Sequence, residues 1–136
     1  MKPLVHKVGL LLVDEGLVLL CRRKRTPTPL ILPGGKIEPG ETEIQCLRRE
    51  IREELGGVAL KNPIKVGRYH SQTPGPASKP LRIDLYSAIL ASRPKPTAEI
   101  AELIWFGPAH DQALLPPSLR DLIFPDLKAR GYLPWP

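Results

Sequence analysis

Apolar positions along the chain come in short runs separated by turn residues. Val5–Val13 and Leu17–Cys21 are Val- and Leu-rich on either side of Asp14-Glu15-Gly16, the pattern of a strand, a turn and a second strand. Thr26–Leu30 reads as a loop, and Ile31-Leu32 leads through Pro33 into Gly34-Gly35, a short strand ending in a glycine turn. Residues 41–55 have helical spacing and run into Gly56-Gly57, a glycine C-cap. Val58–Tyr69 predicts one or two strands around Asn62-Pro63, and Ser71–Pro80 predicts a loop. Leu81, Ile83, Leu85 and Ser87 then alternate with Arg82, Asp84, Tyr86 and Ala88, a period-two strand with one face more apolar than the other. Ser92–Pro96 turns the chain and Leu103–Phe106 is a further strand. Pro117–Arg130 is helical in pattern, with a break or kink at Pro125. The order β-β-β-α-β-β-β-α predicts an α/β (α+β) fold in which helices cover a mixed sheet.

The length, 136 residues, suits a single domain over 1–136. No apolar run reaches the roughly 18–20 residues of a membrane-spanning helix, and neither a membrane association nor a secretory leader is expected. Cys21 and Cys46 have no metal-type spacing, which fits a reducing, cytoplasmic setting. The 17 prolines exceed the usual proportion of about 5%. They leave the predicted elements largely free, so they mark element boundaries and do not indicate disorder.

Charge is uneven. The net charge is +6, yet residues 38–54 carry six glutamates against three arginines, a local −3 that leaves +9 elsewhere. A positive field attracts nucleotides, whereas a carboxylate cluster repels them unless a divalent cation intervenes. On a helix turning about 100° per residue, Glu53 and Glu54 fall within about 60° of Glu50, while Leu47, Ile51, Ile44 and Leu55 group between about 60° and about 140°. The helix therefore buries one stripe and lines up three carboxylates along its edge. Like charges at i, i+3 and i, i+4 are mutually destabilising. Arg49, four residues before Glu53, can pair with one of them but not with all three. Such a density of hard oxygen ligands suits Mg2+ or Mn2+.

Residues 35–57 resemble the Nudix box, G-x5-E-x7-R-E-U-x-E-E-x-G-U with U a bulky aliphatic. Gly35, Glu41, Arg49, Glu50, Ile51, Glu53, Glu54 and Gly56 match, eight of the nine defined positions, and only Gly57 departs, with Val58 one residue late. Element order, length and the stretch Ala98–Trp105 also look like a small MutT-like member. The resemblance implies the αβα Nudix sandwich and metal-dependent hydrolysis of a nucleoside diphosphate linked to another moiety. Carried over by position, it implies metal ligation by Glu50, Glu53, Glu54 and the Gly34 carbonyl. Glu99, in the loop before the last strand, would add a further carboxylate, with Glu102 as its substitute. Glu53 or Glu99 would be the general base, and Arg49 would orient Glu53. Glu41 at the helix start would complement the dipole, and Gly34, Gly35 and Gly40 would shape the tight loop.

Specificity lies outside the box. Arg22 and Arg23, ending the second strand, and Leu32 are candidate substrate contacts; Phe106 is a core residue or a wall of the base pocket. MutT-like members often carry Asn after a Pro-Pro-x sequence, where Pro116-Pro117-Ser118 is here followed by Leu119, which weakens an oxidised-guanine reading. The expected substrate is a small-molecule nucleotide, foremost a (deoxy)nucleoside triphosphate cleaved to monophosphate and pyrophosphate, with ADP-ribose or a nucleotide-sugar as the alternative. From another class, a non-catalytic nucleotide- or RNA-binding domain is disfavoured by the intact Arg49, Glu50, Glu53 and Glu54, and nucleic acid is an unlikely partner because aromatics are only 5%. His70 reads as a surface residue and Cys46 as packing. Trp135 covers an apolar patch or a dimer contact, and both monomer and homodimer remain open.

Overall fold

The computed structural model describes residues 2–97 and 99–136. Strand β1 (Val5–Leu11) is shorter than the apolar run suggests. After Leu12 the chain leaves one sheet and enters another as β2 (Val13–Asp14), which hairpins into β3 (Leu17–Arg23). Glu15 and Gly16 both have positive φ, 50° and 78°, as a two-residue hairpin turn of matching twist requires. The Ile31–Gly35 strand is displaced toward its glycines: Ile31 makes an isolated bridge to Cys21, and β4 is Gly34–Lys36.

Helix α1 (Glu43–Glu54) follows. Val58–Tyr69 resolves into one bulged strand, β5 (Leu60–Gln72), whose register shifts at Lys61/Ile64 and again at Lys65/Gly67. Asn62, at φ 52°, absorbs the first shift ahead of Pro63, since proline has no N–H to give to a ladder. Strands β6 (Pro80–Leu90) and β7 (Ile100–Phe106) both run beyond their sequence bounds. In place of one kinked C-terminal helix there is a π-helical turn, Ser118–Ile123, followed by α2 (Phe124–Ala129) with Pro125 in its first turn. Proline is tolerated there because that N–H would have no intrahelical partner. A short 3-10 turn, Gln112–Leu114, precedes them.

The sheets are a mixed four-stranded one, in the order β4-β1-β6-β5 with β1 parallel to β6, and an antiparallel three-stranded one, β2-β3-β7. Alternation along the strands feeds two cores. Val8 and Leu10 of β1 join Leu19 and Cys21 of β3 under Cys46, Leu47, Ile51 and Leu55 of the α1 layer. Leu11, Val18 and Leu20 point the other way, toward Ile123, Phe124 and Leu127. The result is the αβα arrangement, with two sheets as the middle layer. Ile44, expected in the buried stripe, is 36% exposed, because it lies in the first turn of α1, beyond the part of the helix that the sheets cover. Phe106 is fully buried core. Trp135 covers an apolar patch of the same chain: it packs on Phe106 and Phe124 and donates its indole N–H to the Gly16 carbonyl at 2.6 Å. Among the described residues no helix is long and apolar enough to cross a membrane.

Candidate functional site

Both ends of α1 are set by its sequence. Thr42 is the N-cap and accepts from the Gln45 N–H, while the Gln45 side chain accepts from the Thr42 N–H, a closed capping box. At the other end Gly56, at φ 82°, lets the Gly57 N–H return to the Arg52 carbonyl at 2.8 Å. Gly57 is also at positive φ, 81°, and Val58 is buried at 2% exposure. The departure from the box therefore extends the glycine turn by one residue, and the aliphatic enters the core one step later.

The three carboxylates of the helix edge differ in environment. Glu54 is 6% exposed, whereas the Glu50 and Glu53 side chains are 17% and 60% exposed. Two glycines of β4 make the close approach possible. A Cβ at Gly34 would lie 2.1 Å from the Val8 carbonyl oxygen, and one at Gly35 would lie 2.4 Å from the Glu50 Cδ. Backbone thus fits where side chains cannot, and the Gly34 N–H donates to Glu54 Oε1 at 2.7 Å. Burial pushes the Glu54 carboxyl up to about 7, and the neighbouring Glu50 charge adds to this, against the Gly34 N–H, which favours the ionised form. Burial also raises Glu50, opposed by its hydrogen bond from Arg49.

Arg49 does not act chiefly on Glu53. Its guanidinium forks onto Glu41 at 2.7 and 3.0 Å and reaches Glu50 at 2.8 Å, while Glu53 is 3.6 Å away. Glu41 lies just before the N-cap, outside the helix, so its role is the pairing with Arg49 and not complementing the dipole. Hydrogen bonds from Arg49 and from the Glu38 N–H hold its carboxyl at about 2. The fork also touches the Lys36 carbonyl at 3.2 Å. It thereby ties the loop before α1, the end of β4 and Glu50 together.

Glu50, Glu53, Glu54 and Glu99 line one cleft of about 250 Å³ together with Thr97, whose hydroxyl donates to the Glu53 and Glu54 carbonyls. Among the described residues neither Glu54 nor Glu99 makes an ion pair. The cleft therefore holds excess negative charge on oxygen ligands, the donor set that Mg2+ and Mn2+ prefer. Glu102 is directed elsewhere, paired with Arg22 at 3.1 Å. Arg22 is also hydrogen-bonded to the Pro27 carbonyl and does not line the neighbouring cavity. That cavity, about 110 Å³, is lined by Arg23 and Leu32 and by Gly34 and Gly35, the glycines that approach Glu54 and Glu50. His70 is exposed on β5, and Cys46 is fully buried with its thiol pushed up to about 11 by burial.

A second polar cluster escaped the sequence reading. Asp84, on the less apolar face of β6, is fully buried and receives His6 at 2.6 Å and Lys65, Arg68 and Arg82 at 2.9 Å each. Lys65 and Arg82 also reach Glu43, in the first turn of α1, and Tyr86 donates to Glu43 at 2.7 Å. Burial alone would raise the Asp84 carboxyl, but the bonds from Lys65, Arg68 and His6 outweigh it and hold it well below the ordinary range. His6, Glu43 and Asp84 bring ligand-type atoms within 4.8 Å of one another, yet cations of the chain already occupy both carboxylates. The cluster is an ion-pair network that fastens the start of α1 to β5 and β6.

Comparison with known proteins bears on family and fold. The profile of the NUDIX domain matches residues 3–122. Nucleoside triphosphatase NudI from Escherichia coli O9:H4 (strain HS) is 45% identical over 58 residues, which span 40% of this chain and 41% of that relative's length. Among solved structures, a NUDIX hydrolase from Nitrosomonas europaea superposes with a TM-score of 0.77 at 25% identity, covering 98% of this chain and 93% of that one. The MutT protein from Methanosarcina mazei Go1 superposes at 0.76 with 23% identity, covering 96% of each chain. The chain belongs to the NUDIX domain family, and its fold is that of the solved Nudix hydrolase it superposes on.

Proposed function

We propose that the protein is a divalent-metal-dependent pyrophosphohydrolase of (deoxy)nucleoside triphosphates, releasing a monophosphate and pyrophosphate. The observation that carries this reading is the convergence of Glu50, Glu53, Glu54 and Glu99 on one cleft, with an apolar cavity lined by Gly34 and Gly35, the glycines that approach Glu54 and Glu50. The name of the NudI relative supports the choice of a triphosphate. Glu50, Glu53, Glu54, Glu99 and the Gly34 carbonyl would hold Mg2+ or Mn2+. When bound, the cation screens the diphosphate charge and lowers the pKa of water.

The residues of the chain divide the remaining work. Arg23 and Leu32 receive the nucleoside end in the cavity, which directs the phosphates past Gly34-Gly35 into the acidic cleft. Glu53 or Glu99, the two carboxylates that face solvent, takes a proton from the attacking water. The water oxygen bonds to phosphorus as the bridging P–O bond breaks, and the bond's electron pair leaves with pyrophosphate. Arg49 keeps Glu50 and the loop at Glu41 in place. The test is phosphate or pyrophosphate release from a nucleotide panel with Mg2+ or Mn2+, comparing wild type with Glu53→Gln and Glu99→Gln. Turnover of triphosphates that both substitutions reduce is expected. Absence of turnover on every diphosphate-containing nucleotide overturns the reading, and so does full activity in both variants.

A further inference from the structure

We propose that the cavity beside the acidic cleft selects nucleotides whose base presents a carbonyl oxygen, with Lys7 and Ser118 reading that oxygen; this rests on the nucleotide reading above. The cavity is walled by apolar side chains, among them Leu32, Ile83 and Leu119, and the polar side chains lining it are Lys7, Arg23 and Ser118. Ser118 opens the π-helical turn and is 6% exposed. Among the described residues its hydroxyl has no hydrogen-bond partner, and the Lys7 and Arg23 heads have none either. All three are therefore available to whatever enters.

Lys7 and Arg23 donate hydrogen bonds and accept none, no carboxylate, amide or imidazole lines the cavity, and the Ser118 hydroxyl, which can donate or accept, is the one side-chain acceptor among the described lining residues. Lys7 comes from β1, on the face shared with Gly9, where a Cβ would touch Leu32 and Leu85, so the cavity floor at this point is bare backbone. A carbonyl oxygen carries two lone pairs and can take Lys7 and Ser118 together. An amino group at the same ring position points N–H toward the Lys7 ammonium and can pair only with the Ser118 hydroxyl, and the adjacent ring nitrogen offers a single lone pair. Polar groups left unpaired inside an apolar pocket discriminate between substrates by about ten- to a hundredfold.

Two matched pairs isolate this feature: dUTP against dCTP, which differ in their ring edge at position 4, and dITP against dATP, which differ at position 6. The wild-type protein with Mg2+ is expected to show kcat/KM at least about tenfold higher for the carbonyl member of each pair. Lys7→Met keeps the length of the side chain and removes its donors; it should collapse the preference within each pair by lowering kcat/KM for the carbonyl members. Ser118→Ala should narrow it to a smaller degree. Inhibition by dUMP and dCMP reads the same preference without turnover, and circular dichroism checks that the variants fold. Equal kcat/KM within both pairs overturns the proposal, as does a Lys7→Met loss shared equally by all four triphosphates, which would put Lys7 on phosphate. No turnover of any nucleotide would instead refute the hydrolase reading, so the two failures are distinguishable.

Discussion

Glu54 is where function should cost stability. Its carboxyl ordinarily titrates at 4.5 and is pushed up to about 7 in the folded protein, a difference of about two and a half pH units, or about 3 kcal/mol. With the folded pKa above the unfolded one, the native state binds more protons between these two values, so stability falls as pH rises from 4.5 through 7. Glu54→Gln keeps an oxygen for the Gly34 N–H and removes the charge. In EDTA, urea unfolding should find the variant more stable than wild type by about 1–3 kcal/mol at pH 8, the lower figure applying if the new amide N–H2 finds no partner. By pH 5 most of the wild-type deficit disappears as Glu54 is protonated. The same substitution should abolish metal-supported turnover. A stability difference that is the same at pH 5 and pH 8 would refute the argument, because it would mean that the buried carboxylate carries no desolvation cost.

Gly35→Ala places a methyl 2.4 Å from the Glu50 Cδ; the fold should survive with a small loss of melting temperature, while metal affinity by calorimetry and turnover both collapse. Gly34→Ala, at φ 137° and 2.1 Å from the Val8 carbonyl, should unfold the protein or cost several kcal/mol in denaturant titration. Arg49→Lys replaces a fork that reaches Glu41 twice and Glu50 once with a point charge, so kcat/KM should fall by about 10–100-fold despite the retained charge. Asp84→Asn leaves Lys65, Arg68 and Arg82 without their buried counter-ion and should cost about 3–5 kcal/mol at pH 7. The folded Asp84 pKa is depressed, so its contribution is complete above the ordinary value of 3.8 and is lost as pH falls through the lower folded one; the gap between the two proteins in urea titrations should hold down to about pH 4 and narrow only at more acid pH.

The helix edge was legible because a helix fixes its own geometry: three glutamates and one arginine at set spacings share a side wherever the helix lies. Their unequal burial was not, since it depends on how closely β4 approaches, and that is set by Gly34 and Gly35 against Val8 and Glu50. Arg22 and Arg23 are neighbours on β3, so alternation alone turns one of them away; only register decides which, and it gives Arg22 to Glu102 on β7. The burial of Asp84 was not legible for a related reason. Polar residues alternating with Leu81, Ile83 and Leu85 ordinarily mark a solvated face, but β6 lies between β1 and β5. His6, Lys65 and Arg68 come from those two neighbouring strands, so no local pattern brings them together.

The two charged clusters show opposite solutions to the same electrostatic problem, at opposite ends of one helix. At the start of α1, Glu43 and the buried Asp84 are matched by Lys65, Arg68 and Arg82, so the negative charge is neutralised by the chain itself and the helix is anchored. At its end, Glu54 is buried but receives only a backbone N–H; the Arg49 guanidinium is committed to Glu41 and Glu50, and Arg23 acts on Glu54 only through its field, without a salt bridge. Cations are abundant in a chain of net charge +6, so the shortage is local and does not follow from composition. A fold selected for stability alone would extend the neutralisation along the helix. Leaving the last turn of α1 unmatched stores a cost that a hard cation would relieve on binding, and the anchored first turn would keep the helix from moving to relieve it instead.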